Sequence, residues 1–456
     1  MLTRTGSQVL LPRSRVAGNR WPAVPDATRS LDLALQYQLE QSQYYPPDVL
    51  LELQKVQVMG LLEHAARTVP YYREQRLRLD ERNFWIDCWQ RIPVLTRSDV
   101  QRIGEALFSE ALPPSHGKVS VIKTSGSTGR PIEVRGTELT QTMWRAFLMR
   151  DHLWHGRDFG RAFAAIRATS RFDAEPPEGF SARGWDPVYG VGRLAALSIQ
   201  SSLEAQIAWL EKVRPAYLLS FPSNLLDLAR RCRELGAELP ELEQVLAVGE
   251  VVTPECRRAV ADTWGVPLID AYTTQEAGYL ALQCPQHEDR YHVQSENVIL
   301  EVIDDEGRPC RKGETGRVLV TALHNLGTAL IRYEIGDYAQ VGGSCDCGRN
   351  LPVLTKILGR RRNMLTLPDG GRRWPFLGEN RYRHVAPIRQ YQIIQRSLEG
   401  VEVMLVADRP VSESEEAQLS EIIRSELGHP FALSFSYVDA IPRGPGGKFE
   451  DFRSDL

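Results

Sequence analysis

AYLLSFPSNLLDLARRCRELGAELPELEQVLAVG, residues Ala216 to Gly249, decides the fold class. Two short apolar runs, AYLLSF and QVLAVG, read as strands, and Asn224 to Leu235 between them reads as a helix. The same alternation continues outward. Upstream lie VSVIK at Val119 to Lys123, RAFAAI at Arg161 to Ile166 and a helix around Leu203 to Val213; downstream come a helix opened by Thr253 and Pro254, then VPLIDAY. Strands alternating with helices predict an α/β fold built on βαβ units, with a largely parallel sheet covered on both faces. Ligands of such sheets sit at the carboxyl ends of the strands, where Gly249, Tyr272 and the segment 123–131 all fall.

From Val298 to Val353 the pattern becomes antiparallel β. NVILEVIDDEGRPC reads as a hairpin turning at Asp305, Glu306 and Gly307, and GRVLVTAL and ALIRYEIGDYAQV supply further strands. Beyond Gly359 a shorter segment reads β, β, α, β, with a helix from Ser412 to Leu427, and forms a small α+β cap domain. The predicted boundaries are 1–360 for a large N-terminal domain and 361–456 for the mobile cap. Residues 1 to about 45 show little periodicity and are expected to wrap or fray. Leu51 to Arg67 reads as a helix ended at Pro70.

Composition sets the outer limits. The 456 residues carry a net charge of −3 with the basic residues scattered, which argues against a nucleic-acid partner. No run approaches a membrane span, and the N-terminus lacks the apolar core and cleavage site of a secretory signal, so a cytoplasmic protein with no membrane partner is expected. Only seven of the 55 basic residues are lysines, and Lys448 is the only one after Lys356. A lysine inside a glycine-rich segment therefore carries weight.

KTSGSTGRP, Lys123 to Pro131, alternates small hydroxylated residues with glycine directly after an apolar strand. Gly126 and Gly129 let backbone N–H groups approach an anion, while Thr124, Ser125, Ser127 and Thr128 add hydroxyls, as a phosphate site requires. The glycine spacing and the missing lysine exclude a Walker loop. A second cluster carries different chemistry. Cys284-Pro-Gln-His287 and Cys345-Asp-Cys347-Gly supply three thiols and an imidazole, a ligand set for a structural Zn²⁺ with no open position. His292 is the competing imidazole; YHVQSE makes it a strand residue that could instead face substrate. The other four of the seven cysteines are isolated, and no disulfide framework is expected.

Four ordered motifs together resemble the adenylate-forming superfamily, most closely the branch containing phenylacetate-CoA ligase and its capsule-biosynthesis-like relatives, from about residue 50 to the end. They are TSGSTGRP; DAYTTQEAG at Asp270 to Gly278; RYEIGD at Arg332 to Asp337, followed by Gly359 and Arg360; and PRGPGGKF around Lys448. The resemblance implies that the first cradles ATP phosphates, that Tyr272 and Thr273 line the nucleotide, that Glu276 holds Mg²⁺ and that Asp337 binds the ribose. It further implies that Gly249, Glu250 and Val251 read adenine through their backbone, that Arg360 belongs to the same site, and that Lys448 is the adenylation lysine. Lys448, Glu276 and Thr128 are thus the expected catalytic set. Such chemistry needs cations and aligned donors because pyrophosphate leaves with a large negative charge.

The chain departs from the family pattern at Ile132, where the classical loop has lysine, and at Arg362 and Asn363, where the hinge usually has aspartate. The expected activity is ATP-dependent activation of a carboxylic acid, aryl or arylacetic, followed by transfer to coenzyme A. Transfer to an amine or a carrier thiol, and a non-catalytic zinc-stabilised binding protein, stand as alternatives. Expected partners are the acid, coenzyme A or another acyl acceptor, with a homodimer as a possible assembly. Trp154, Phe163, Phe221 and Tyr272 are candidate walls of the acyl pocket.

Overall fold

The computed structural model describes the chain apart from residues 1–3, 6, 7, 10, 11, 20, 76–83, 124–131, 169–173, 361, 362, 376–380 and 445. The glycine-rich segment Thr124 to Pro131, with Thr128, and the hinge residue Arg362 therefore lie outside the described residues.

Twelve strands of the described residues join one continuous sheet. Its centre is parallel: Arg193–Ser198, Ala162–Arg167, Tyr217–Ser220, Gln244–Val248 and Leu268–Thr274 lie side by side in that order. These strands are short apolar runs because both faces are covered, which removes the polar alternation of a one-sided sheet. On one face pack the helices Leu203–Val213, Pro222–Leu235 and Pro254–Trp264, whose Ile207, Leu210, Leu225, Leu228, Cys232 and Val260 bury against Ala164, Leu218 and Val245. The helix expected from Asn224 begins two residues earlier, at Pro222, and the one expected at Thr253 and Pro254 begins there. Ser202 and Thr253 accept the backbone N–H groups of Ala205 and Cys256, and Pro222 and Pro254 occupy first-turn positions.

The sheet changes character at Leu268–Thr274, which pairs in parallel with Gln244–Val248 and antiparallel with Gly278–Gln283. Gln275, Glu276 and Ala277 form the turn between those two strands, at the carboxyl end of the parallel set. Beyond it Tyr291–Val293, Val353–Arg360, Tyr333–Val341, Thr315–Ala322 and Val298–Ile303 continue the sheet antiparallel. The tight turn at Asp304 to Arg308 exists, with Gly307 at φ +82°, but Val298–Ile303 takes Thr315–Ala322 as its ladder partner.

Three expectations need correction. VSVIK does not join the parallel sheet: Val119–Lys123 pairs antiparallel with Glu133–Thr137 in a separate two-stranded ladder, and Val119 and Val121 are 50% and 53% exposed. Arg193–Ser198 is a strand of the parallel sheet that the sequence reading did not mark. The N-terminal region does not simply fray. Ala27–Ser42 is a helix capped by Asp26 on the Arg29 N–H, and buried Gln36 donates to the carbonyl of Ala146 on the helix Glu138–Trp154 at 2.7 Å.

The cap has its own core. Ala432–Tyr437, Gly400–Ala407, Ile388–Gln395 and Phe452–Ser454 form a four-stranded sheet in that order. Helix Glu413–Leu427, opened by a capping box between Ser412 and Glu415, buries Leu419, Ile423 and Leu427 against Ile393, Val401, Val403 and Phe431. The arm that carries Lys448 lies between the second-last and last of these strands in the chain.

Candidate active site

The carboxyl ends of the parallel strands, the antiparallel arm and the cap converge on one cleft. Gly249 ends the strand Gln244–Val248 at φ +81°, and a Cβ there would sit 3.1 Å from Cε of Lys448 and 3.2 Å from Cε1 of Phe221. Glycine is needed for the conformation and for the close approach of the lysine stem. Tyr272 and Thr273 stand near the end of Leu268–Thr274, at a register irregularity in its pairing with Gly278–Gln283, and half-buried Glu276 lies in the turn that follows.

Asp337 faces Arg360 across the ladder of Tyr333–Val341 and Val353–Arg360, with Arg360 Nε 3.9 Å from its Oδ1. The Tyr272 phenol donates to Asp337 Oδ2 at 2.9 Å. Burial raises the Asp337 pKa, and Arg360, Tyr272 and Lys448 pull it back. Lys448 is open to solvent across the cleft, yet the walls that crowd its ammonium, and then the Arg360 charge, lower its pKa against the pull of Asp337, Glu250 and Glu276. One lysine thus shares a field with three carboxylates.

Arg332, at the start of the RYEIGD motif, braces this arm. It adopts φ +47°, its guanidinium binds Glu301 at 3.1 and 3.0 Å and the carbonyls of Gln90 and Ile92 at 3.1 and 2.8 Å, and its N–H donates to Thr321 Oγ1 at 2.8 Å. A non-glycine residue holds that conformation only where its surroundings over-determine it.

Residues 379–454 match the model of the CapK C-terminal domain. Over 425 residues the chain is 23% identical to phenylacetate-coenzyme A ligase of Escherichia coli (strain K12), covering 88% of this chain and 93% of that one. Over 417 residues it is 20% identical to protein CapK of Staphylococcus aureus, covering 88% of each. Among solved structures, 2-hydroxyisobutyryl-CoA ligase in its postadenylation state matches with a TM-score of 0.67 at 18% identity, over 90% of this chain and 91% of the other. Over most of its length the chain is similar to adenylate-forming enzymes of the capsule-like branch.

Away from this cleft the two cysteine motifs meet. Cys284 Sγ lies 3.8 Å from Cys345 Sγ, and Cys347 Sγ lies 3.3 Å from Nε2 of His292. The four ligand atoms fall within 4.8 Å of one another. A tetrahedral Zn²⁺ with bonds of about 2.3 Å to sulfur sets its thiolates about 3.8 Å apart, so the quartet fits the ion. The imidazole of that quartet is His292, not His287. His287 instead places Nε2 2.6 Å from Asp346 Oδ1, and the exposed turn offers it that partner because it lies before the strand Tyr291–Val293 whose pairing aims His292 inward. His292 consequently does not face a substrate pocket; burial holds its pKa down to about 4 and keeps it neutral, and Trp154 packs edge-on against its ring at 5.7 Å.

The four candidate pocket aromatics do not share one wall. Trp154 packs beside His292 and under the Arg349 guanidinium, and Phe163 packs with Trp185 and Tyr217. Phe221 and Tyr272 remain at the cleft. The sequence reading also missed what the Glu250 side chain does: it turns to the cap, where its carboxylate accepts the Phe449 N–H at 2.6 Å.

Proposed function

We propose that the protein activates a carboxylic acid with ATP and passes the acyl group to coenzyme A, as an AMP-forming ligase. The carboxylate oxygen attacks the α-phosphorus, the bond to the β-phosphate bridge breaks, and pyrophosphate leaves; the acceptor thiol then attacks the acyl carbon, loses its proton, and AMP leaves. The observation that carries the reading is the seating of Lys448 against Gly249, in the shared field of Asp337, Glu250 and Glu276. A lysine so placed can bridge the substrate carboxylate and the phosphate as charge develops between them.

Within this reading Thr124, Ser125, Gly126, Ser127, Thr128 and Gly129 hold the phosphates. Tyr272 and Thr273 border the nucleotide, Asp337 accepts from the ribose hydroxyls, and Arg360 steadies that carboxylate. Glu276 would hold Mg²⁺, which when bound would neutralise charge on the leaving pyrophosphate. Phe221 and Tyr272 suit an aryl or arylacetic acid. Among the described residues no helix is long and apolar enough to cross a membrane.

An amine is the second acceptor, favoured by Arg362 and Asn363 where the family's hinge usually carries aspartate. Zn²⁺ on Cys284, His292, Cys345 and Cys347 would tie the strand Tyr291–Val293 to the loop before Val353–Arg360, as a structural clip. Acid-dependent exchange of pyrophosphate into ATP tests the activity. Exchange followed by thioester supports the ligase, exchange followed only by amide supports the second reading, and no exchange with any acid leaves a binding protein.

A further inference from the structure

We infer that Glu250 is the positioning residue for Lys448: its carboxylate docks the arm of the cap onto the large domain and so holds the lysine in the site for adenylate formation. The inference rests on the function proposed above. Glu250 follows Gly249 directly, and its side chain is 9% exposed. Oε2 accepts the N–H of Ser223 at 3.0 Å, in the first turn of Pro222–Leu235, where backbone donors have no partner within the helix. Oε1 accepts the N–H of Phe449 at 2.6 Å, the peptide immediately after Lys448.

A helix cap would need only the first of these bonds. The second oxygen is committed to the other domain, and so is a guanidinium: Arg443 Nη1 stands 3.8 Å from the same Oε1, donates to Ser223 Oγ at 2.7 Å and to the carbonyl of Gly447 at 3.4 Å. Phe221 and Ile199 close under the arm so tightly that a Cβ at Gly447 would meet them at 3.0 and 3.1 Å. One carboxylate therefore gathers both ends of the segment 443–449 and the start of a helix of the large domain. Bonds to an ionised acceptor are the stronger kind, and here they fix the peptide next to the reactive ammonium rather than the ammonium itself. The proposed role of Lys448 belongs to adenylate formation, so the contact serves the first half-reaction and is not called on in the transfer to the acceptor.

The test compares wild type, Glu250→Ala, Glu250→Gln and Arg443→Ala in two readouts. Hydrogen exchange of the peptide spanning 443–450 reads the docking without any turnover; we expect at least about tenfold faster exchange there in Glu250→Ala, with the strand Gln244–Val248 still protected. Adenylate formation should fall by about 10²-fold, the scale of a misplacement near 1 Å, while transfer from supplied acyl-adenylate to the acceptor falls far less. Glu250→Gln, which keeps an acceptor oxygen, should lie between, and Arg443→Ala should show the same split should the alanine at 250 impair folding. Unchanged exchange in the 443–450 peptide overturns the docking. Equal losses in both half-reactions overturn the positioning role in favour of a structural one. A wild type that turns over no acid overturns the proposed function and the positioning of a catalytic lysine with it, while the exchange data still decide whether Glu250 docks the arm.

Discussion

Tyr272 and Asp337 are joined by a hydrogen bond of 2.9 Å between the phenol and Oδ2, which couples the end of the parallel sheet to the antiparallel arm across 65 residues of sequence. The bond occupies one side of the carboxylate and orients it, and Arg360 at 3.9 Å biases it toward the charged form. What remains is acceptor capacity toward the cleft, the requirement for a sugar diol.

Asp337→Ala should therefore weaken ATP binding by at least about tenfold, the scale of a lost hydrogen bond to a charged group. Tyr272→Phe should weaken it less, because the carboxylate survives. Burial raises the Asp337 pKa, so ATP affinity should begin to fall at a higher pH on acidification than an ordinary carboxyl would give. Calorimetric titration with ATP against pH reads both effects; an Asp337→Ala protein with unaltered affinity would count against the ribose contact.

Stability should carry the mark of another carboxyl, in the motif that holds Tyr272. Asp270 is pushed up to about 6 by burial, against the opposing pull of the Tyr291 phenol at 3.0 Å and of Arg257, from a usual 3.8. The folded state thus binds this proton more tightly than the unfolded chain, and the group's contribution to stability is lost as pH rises from about 4 to about 6. Asp270→Asn removes that dependence and keeps an acceptor for Tyr291. Relative to wild type the variant should gain about 1–3 kcal/mol between pH 4 and pH 7. Parallel denaturation curves whose difference does not change with pH would refute the assignment.

The clip makes a prediction that is independent of catalysis. About one zinc should copurify per chain, a chelator should lower thermal stability, and Cys345→Ser or His292→Ala should lose the metal. His287→Ala should keep it. Protein prepared without chelator that contains no metal, or a metal lost with His287 and retained without His292, would contradict the quartet.

The contrast between the two histidines shows how far the sequence reached. The parallel sheet, the antiparallel arm, the cap and the positions of Tyr272, Glu276, Asp337 and Lys448 were legible, because short apolar runs between capped helices and motifs of fixed order survive without knowledge of pairing. Which imidazole joins the thiols depends on pairing: His292 sits opposite Val353 across a ladder, and no local spacing says so. The same holds for VSVIK, whose apolar residues match a buried strand until the partner Glu133–Thr137 is known, and for Glu250, whose partner lies 199 residues away. Ala27–Ser42 was missed for another reason. Its buried face uses Asp32, Gln36 and Ser42 among its contacts, so the apolar periodicity is weak.

On the proposed mechanism Lys448 acts on charge developing at the α-phosphate as the acyl-adenylate forms. Acid-dependent pyrophosphate exchange measured for wild type and Lys448→Ala, beside ATP affinity and thermal stability for both, tests it most directly. Exchange in the wild type with at least one carboxylic acid, and loss of roughly 10²-fold or more in the variant with ATP binding and folding retained, is the expected result. Undiminished exchange in a pure Lys448→Ala protein would contradict it.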